Sequence, residues 1–248
     1  MKIAPNFLQA VVATLALLVS AFAPADELRV AVASNFTPVL EELKPQFERQ
    51  YGHTLALISG ASGNHYAQIR NGAPFDLFLA ADAERPRLLE EEGKAVAGSR
   101  FTYALGKLVL WSADAALVDA NGEVLKKGDF AHIALANPEL APYGAAAQEV
   151  LSALGIRERL QSRIVQGDNI AQTLQFVQTG NAQLGFIALS QLLDVGGGSH
   201  WDIPADLYSP IVQQGVLLKD TPAARAFIEF LTSEESRAVI AAAGYAPP

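Results

Sequence analysis

One local order of elements recurs along this chain: an apolar run, a short polar turn, and a segment with helical spacing. In one instance Leu55-Ala56-Leu57-Ile58 leads into the turn Gly60-Ala61-Ser62-Gly63, and Tyr66, Ala67 and Ile69 follow at helical spacing. Short strands that alternate with helices predict an α/β fold with largely parallel sheets. A strand, a glycine-rich turn and a helix also indicate a ligand docked on the helix N-terminus.

The same reasoning predicts the other elements. We expect further strands at 28–33, 75–81, 133–136, 164–165 and 184–189, and helices that begin at Pro38, Glu84, Ala145 and Ile170. Each helix carries apolar residues at the spacing of one buried face.

Two long β-rich runs, at 100–112 and 208–218, interrupt the alternation. Because they bracket the middle set of units, they predict two crossings between two lobes. We therefore expect a first lobe built from residues 26–104 and 210–248, and a second lobe built from residues 105–209.

The first residues have the pattern of a signal peptide. Lys2 gives a positive start, residues 7–19 are mostly apolar, and small residues at alternate positions end at Ala25. The apolar run is shorter than the ~20 residues that span a bilayer. We expect a signal peptide of residues 1–25, cleaved after Ala25, and hence an exported, periplasmic protein.

Composition excludes several classes of function. The 248 residues include no cysteine, which rules out disulfides, thiolate nucleophiles and Cys-ligated zinc. Four histidines are scattered without metal-ligand spacing, so we expect no bound metal cation. The formal net charge of −8 argues against nucleic acid or an anionic membrane surface as partner.

A serine hydrolase is the remote alternative. The stretch Gly60-Ala61-Ser62-Gly63-Asn64 misses the G-x-S-x-G elbow, because Asn64 stands where the last glycine belongs. A nucleophilic Ser62 also needs a histidine base oriented by a carboxylate, and no histidine pattern indicates one. We therefore expect a protein that is not an enzyme.

Four polar turns precede helices: Ser34-Asn35, Ser62-Gly63, Tyr143-Gly144 and Asn169-Ile170. Two fall in each expected lobe, and each offers backbone N–H groups at the positive end of a helix dipole. For any one of them taken alone, an ordinary N-cap is the favoured explanation. Together they predict a cage of donors without acceptors.

Such a cage suits a small, fully deprotonated oxyanion, which presents only acceptor oxygens. Neutral donors need no Lys or Arg, so the negative net charge does not exclude an anionic ligand. Phosphate keeps part of its proton at neutral pH and calls for an acceptor. Asp168 is the single acid beside one of these turns, and capping of its own helix is the alternative explanation.

Longer motifs indicate a family. The most specific are Gly72-Ala73-Pro74-Phe75-Asp76-Leu77-Phe78 and Asn137-Pro138-Glu139-Leu140-Ala141-Pro142-Tyr143-Gly144, with further matches at 33–36, 59–63, 80–82, 98–109 and 184–186. In these segments the chain resembles the periplasmic molybdate-binding proteins of ABC importers. That resemblance implies the two-lobed periplasmic binding protein fold of type II, with two crossing strands.

The resemblance also implies the binding residues. Carried over by motif, the oxyanion contacts fall on Ser34, Asn35, Ser62, Tyr143 and the backbone amide of Ile170. In many members a tyrosine follows the strand that corresponds to 184–186, whereas Ala188 stands there in this chain. We expect Tyr143 to substitute for that tyrosine.

The function implied is capture of molybdate, and of tungstate, followed by delivery to an ABC transporter permease in the inner membrane. The resemblance implies no cofactor and a monomer, with no nucleic-acid partner. Sulfate or another tetrahedral oxyanion is the alternative ligand. The size of the cavity distinguishes these anions, because the metal–oxygen bonds of molybdate are longer.

Overall fold

The computed structural model describes residues 26–248, and the expected signal peptide lies outside them. The strands are β1 (Glu27–Ala33), β2 (Thr54–Gly60), β3 (Leu77–Ala80), β4 (Phe101–Gly106), β5 (Leu108–Ser112), β6 (Ile133–Ala136), β7 (Ile164–Gly167), β8 (Leu184–Ala188), β9 (Ser199–Asp202) and β10 (Ile211–Leu217). The helices are α1 (Thr37–Tyr51), α2 (Ser62–Arg70), α3 (Glu84–Glu91), α4 (Glu123–Lys127), α5 (Pro142–Ala153), α6 (Arg157–Leu160), α7 (Ile170–Gln178), α8 (Leu189–Val195), α9 (Pro222–Leu231) and α10 (Glu234–Ala242).

The strands form two five-stranded sheets, each the centre of one lobe. The first sheet has the order β2-β1-β3-β10-β4, and the second has the order β7-β6-β8-β5-β9. The expected α/β fold is confirmed, but the sheets are mixed rather than largely parallel. β10 runs antiparallel to β3 and β4, and β5 runs antiparallel to β8 and β9. β5, which follows the first crossing, and β10, which follows the second, therefore run opposite to neighbouring strands of their sheets.

The chain crosses between the sheets at Lys107, which alone separates β4 from β5. The division proposed at residue 104 falls inside β4, whose Leu105 pairs with Val212 of β10. The return strand begins at Ile211, so the two crossing segments lie side by side.

Each lobe has its own apolar core. In the first lobe α1 and α9 cover one face of the sheet, where the rings of Phe47 and Phe227 meet edge to face at 5.2 Å. In the second lobe Leu135 and Phe186 of the sheet pack against Val150 of α5. Full burial of one such side chain stabilises a fold by ~1.5–3 kcal/mol. Because each lobe is stabilised by its own core, the region between the lobes can hold polar groups.

Helix α5, which carries the expected binding residue Tyr143, begins earlier than the sequence predicts. α5 begins at Pro142, three residues before the expected Ala145. Proline suits the first turn of a helix because its missing N–H has no intrahelical acceptor there. The earlier start places Tyr143 inside the first turn of α5.

Candidate functional site

A small cavity lies between the lobes, where the polar turns of both sheets meet. The space in it that the centre of a water molecule can occupy is about 10 Å³. The first lobe lines it with Ala33, Ser34, Asn35, Gly60, Ala61, Ser62 and Ala81, and the second with Ala141, Pro142, Tyr143, Asn169 and Ile170. All five residues expected from the sequence therefore line one cavity. On this measure the cavity holds about one water molecule and is too small for an organic substrate.

The lining carries no ionisable group other than the tyrosine hydroxyl. None of the lining residues is Lys, Arg, Asp, Glu or His. Asp168 is exposed and does not line the cavity, and its backbone N–H donates to Oε1 of Gln172 at 2.6 Å. The cap of α7 is Asn169, whose Oδ1 accepts from the N–H of Gln172 at 3.0 Å. Capping by Asp168 was therefore the wrong alternative.

Three helices direct their N-termini at the cavity. α2 begins at Ser62, α5 at Pro142 and α7 at Ile170. The first N–H groups of a helix have no intrahelical acceptor, and the helix dipole makes this end positive. The N-cap of α2 is Ala61, which has no side chain that can accept a hydrogen bond. Ser62 is therefore not a capping residue. Of the residues in these polar turns, Asn169 is the one that acts as an ordinary N-cap.

The hydroxyl of Ser62 is arranged as a donor. Ser62 is 1 % exposed, and its Oγ accepts a hydrogen bond from the backbone N–H of Ala81 at 2.9 Å. Because the oxygen is engaged, the hydroxyl proton remains for an acceptor in the cavity.

The hydroxyl of Tyr143 has the same arrangement in the opposite lobe. Its oxygen accepts from Nε2 of Gln213 at 3.1 Å, and in residues 26–248 it donates to no protein acceptor. Burial raises the pKa of Tyr143 well above its ordinary value, so the phenol keeps its proton at neutral pH.

Asn35 contributes differently from the hydroxyls. Both protons of its side-chain amide are used, since Nδ2 donates to Oε1 of Gln213 and to the hydroxyl of Tyr245, each at 3.0 Å. The hydroxyl of Tyr245 in turn donates to the backbone oxygen of Asn35 at 2.8 Å. The side chain therefore fixes the turn, and the backbone N–H is the donor that Asn35 can offer to a ligand.

Ser34 lies at the contact between the lobes. Its hydroxyl donates to Oδ1 of Asn169 at 3.3 Å and accepts from the backbone N–H of Ala171 at 3.4 Å. Both distances are at the long end for hydrogen bonds, so little is lost when this hydroxyl turns to a ligand.

Two glutamines support the site and were missed from the sequence. Nε2 of Gln191 donates to the backbone oxygen of Ile170 at 3.0 Å, and its Oε1 accepts from the N–H of Ala188. Ala188 is fully buried beside this amide and does not line the cavity. Gln213 holds Asn35 and Tyr143 as described above. A signal existed for Gln213, which stands inside the β-rich run Ile211–Leu217.

A second set of contacts closes the lobes over the cavity. The backbone N–H of Gly63 in α2 donates to the backbone oxygen of Leu140 at 2.8 Å. Nη2 of Arg85 in α3 donates to the backbone oxygen of Glu139 at 2.7 Å, while its Nη1 pairs with Asp82 at 2.7 Å. The loop before α5 is thus held by two elements of the first lobe.

The histidine next to Ser62 in sequence is occupied elsewhere. His65 is buried, with Nε2 3.2 Å from the backbone oxygen of Val32 and Nδ1 3.4 Å from Oε1 of Gln68. Burial lowers the pKa of His65. His65 therefore does not provide the histidine base that a nucleophilic Ser62 would need.

Residues 26–248 contain neither a metal-binding cluster nor a membrane-spanning helix. No group of three or more His, Cys, Asp or Glu side chains there is placed to hold a metal ion. No helix in the same range is both long and apolar enough to cross a membrane.

Two α/β lobes that meet over a small polar cavity define the class of solute-binding proteins. The chain belongs to this class, because residues 28–246 match the family of bacterial extracellular solute-binding proteins.

Individual relatives resemble the chain over nearly its whole length. It is 53% identical over 241 residues to the molybdate-binding protein ModA of Azotobacter vinelandii, covering 95% of this chain and 96% of that one. It is 49% identical to ModA of Rhodobacter capsulatus, covering 97% of each chain. The solved structure of the Azotobacter vinelandii periplasmic molybdate-binding protein superposes with a TM-score of 0.85 at 45% identity, covering 89% of this chain and 99% of that one.

Proposed function

We propose that this protein captures molybdate between its two lobes and delivers it to an ABC importer. The observation that carries the proposal is the cavity between the lobes, which neutral hydrogen-bond donors line from both sides. Ser34, Asn35, Ser62, Tyr143 and Ile170 are the proposed binding residues.

The donor set explains why the ligand is a fully deprotonated oxyanion. Ser62 and Tyr143 have engaged oxygens and free protons, and the N-termini of α2 and α7 add backbone N–H groups. Hydrogen bonds from such donors to a charged acceptor are about twice as strong as neutral ones. A protonated anion such as hydrogenphosphate needs an acceptor for its own proton, and no carboxylate lines the cavity.

Molybdate is favoured over sulfate by the similarity to the ModA proteins of two organisms. Tungstate has the same charge and tetrahedral shape as molybdate, and we propose that it binds as well. Sulfate has shorter bonds to oxygen, so it spans less of the distance between the donors of the two lobes, and we expect it to bind more weakly than molybdate. It remains the second candidate, because every donor of the site is equally suited to its oxygens.

The proposal extends to the setting of the protein. We propose that it is exported to the periplasm after cleavage behind Ala25, that it acts as a monomer without catalysis, and that its partner is the membrane permease of the importer. The excess of 26 acidic over 18 basic residues supports the exclusion of nucleic acid.

Calorimetric titration of the mature protein with molybdate, tungstate, sulfate and phosphate tests the function. We expect saturable binding of one molybdate or one tungstate per protein, and little heat from the other two anions. Equal affinity for sulfate would make the protein a general binder of tetrahedral dianions. Absence of binding to all four anions would refute the proposal.

A further inference from the structure

Gln213 occupies the crossing between the lobes with its side chain fully buried. It lies on β10, at 0 % exposure, and does not line the cavity. A buried amide is costly unless its donors and acceptors are paired. Its Oε1 accepts from Nδ2 of Asn35 at 3.0 Å, and its Nε2 donates to the hydroxyl of Tyr143 at 3.1 Å. The hydroxyl of Tyr103 lies 3.1 Å from the same Oε1 and 3.0 Å from the backbone oxygen of Ala80, so these two acceptors share its single proton. One side chain thus connects a proposed binding residue of each lobe.

The direction of these hydrogen bonds is determined by chemistry. The hydroxyl of Tyr245 gives its proton to the backbone oxygen of Asn35, so the Asn35 side chain must face it with the donor Nδ2. The same Nδ2 faces Gln213, so the atom of Gln213 opposite it must be the oxygen. The nitrogen of Gln213 must then face Tyr143, and the phenolic oxygen accepts. The proton of Tyr143 is left to point away from Gln213, towards the cavity.

Gly106, at the end of β4, makes room for this contact. A Cβ atom on Gly106 would lie 2.2 Å from the hydroxyl oxygen of Tyr143 and 2.8 Å from Nε2 of Gln213. Real Cβ contacts are not that short, so a side chain here would push Tyr143 away from Gln213. The glycine at the crossing therefore belongs to the same arrangement.

We propose that Gln213 is a positioning residue that commits the Tyr143 hydroxyl to donate to the anion and so selects for a ligand without a proton. The inference rests on the proposed function, because it assigns a role within the same cavity. Without the amide donor, the phenol can rotate and offer its oxygen as an acceptor. The site then loses both affinity for a dianion and discrimination against a protonated one.

The first experiment is a double-mutant cycle read by calorimetric titration with molybdate. We expect Gln213→Met to weaken binding by about five- to ten-fold, as for loss of one net hydrogen bond. In a Tyr143→Phe background the same change should cost less than about two-fold, because no hydroxyl is left to orient. An equal cost in both backgrounds would mean that Gln213 acts only through general packing, and would overturn the proposal.

The second experiment measures specificity with an isosteric change. In Gln213→Glu the carboxylate accepts from Tyr143 and turns the phenolic oxygen towards the cavity. The ratio of phosphate affinity to molybdate affinity should rise at least about ten-fold, whereas loss of both affinities by one factor would contradict the assigned role. Gln213→Glu conserves shape, so it tests the proposal even if Gln213→Met does not fold.

Gln214 provides the matched control on the same strand. Its Nε2 donates to Oγ1 of Thr102 within the first lobe, at 3.1 Å. Gln214→Met and Gln214→Glu should leave both the molybdate affinity and the anion ratio near those of the wild type. Equal behaviour of the Gln213 and Gln214 variants would refute the role of Gln213. A wild-type protein that binds no molybdate would instead refute the proposed function.

Discussion

At the scale of single residues, the side-chain hydroxyls of this cavity become donors because their oxygens already have partners. The backbone N–H of Ala81 occupies the oxygen of Ser62, and Gln213 occupies that of Tyr143. A donor fixed beside a hydroxyl oxygen turns the O–H proton away from that donor, so the proton is available to an acceptor on the cavity side. The side-chain donors that face the cavity are therefore neutral groups.

Ser62 gives the most direct test of this arrangement. Ser62→Ala removes a hydrogen bond to a charged group, worth ~1.5–3 kcal/mol, so molybdate should bind roughly ten- to a hundred-fold more weakly. Ser62→Asp should bind worse still, because a second negative charge in the closed cavity repels the dianion. Calorimetric titration of both variants measures the effect. A Ser62→Asp protein that binds molybdate like the wild type would contradict the role of this residue.

Ser99 is the matched control for that experiment. Its Oγ accepts from the backbone N–H of Leu217 at 3.1 Å, in the same lobe but away from the cavity. Ser62→Ala and Ser99→Ala each leave one N–H without its acceptor, which should cost about 1 kcal/mol of folding stability. Ser99→Ala should cost more, because the Ser99 hydroxyl also donates to the backbone oxygen of Val96 at 2.6 Å. Only Ser62→Ala should change the affinity for molybdate.

Tyr245 links the site to the alkaline stability of the protein. Burial raises its pKa to about 12, against about 10 for an unfolded tyrosine. The folded state therefore holds this proton more tightly, and the resulting stability is complete below pH ~10 and lost as the pH rises through ~12. Tyr245→Phe should show a drop in unfolding free energy from pH 8 to pH 11 that is smaller by ~1.4 kcal/mol than in the wild type. Urea unfolding at the two pH values measures it, and an equal drop would contradict the assignment.

At the scale of elements, helix starts determine the site. The N-termini of α2, α5 and α7 converge on it from two different sheets. The alternation of strand, turn and helix predicted these starts within about three residues, because apolar spacing is a local property. The side-chain partners of Asn35 could not be predicted in this way. They are Gln213 and Tyr245, which lie more than 170 positions along the chain and reach the turn only in the folded protein.

The loop before α5 and helix α3 form a contact that exists only while the lobes are together. Arg85 of α3 donates to the backbone oxygen of Glu139 across the interface. Arg85→Ala should weaken molybdate binding about five-fold, as for ~1 kcal/mol, and mainly by faster dissociation. Stopped-flow displacement of bound molybdate, followed by tryptophan fluorescence, gives the rate.

Arg87 controls for charge and helix position. It lies two residues along the same helix, and its partners Glu84 and Glu91 belong to the first lobe. Arg87→Ala removes the same charge but no contact between lobes, and exposed ion pairs contribute little. Equal dissociation rates in the Arg85 and Arg87 variants would show that the Arg85 contact does not hold the lobes together.

At the scale of the whole molecule, the two lobes have separate cores and few apolar groups in common. Ala33, Ala81 and Ile211 of the first lobe join the core of the second at their boundary. Leu189 and Leu193 of the second lobe also lie against Gly244 of the first. The contacts beside the cavity are hydrogen bonds between polar groups, which water can replace when the lobes separate. An anion that contacts both lobes therefore shifts the population towards the closed state.

The two-lobed plan was predictable from the chain, and its details were not. The long β-rich runs indicated two crossings because they broke the local alternation. The reversal of β5 and β10 was missed, since strand direction depends on which neighbours a strand meets in three dimensions. The size of the cavity was also beyond the sequence, because it depends on how closely Gly63 and Leu140 bring the lobes together.

Closure itself is testable with a glycine at the interface. Small-angle scattering of the wild type should show a smaller radius of gyration with molybdate than without it, because the ligand favours the closed state.

A Cβ atom on Gly63 would lie 2.9 Å from Cα and 3.1 Å from the backbone oxygen of Leu140, both in the opposite lobe. Gly63→Ala should therefore resist closure and bind molybdate more weakly. The first lobe should remain folded, because alanine favours the helix that contains it. A Gly63→Ala protein that compacts and binds like the wild type would contradict closure through this contact, and a wild type whose radius does not change would contradict a ligand-driven closure.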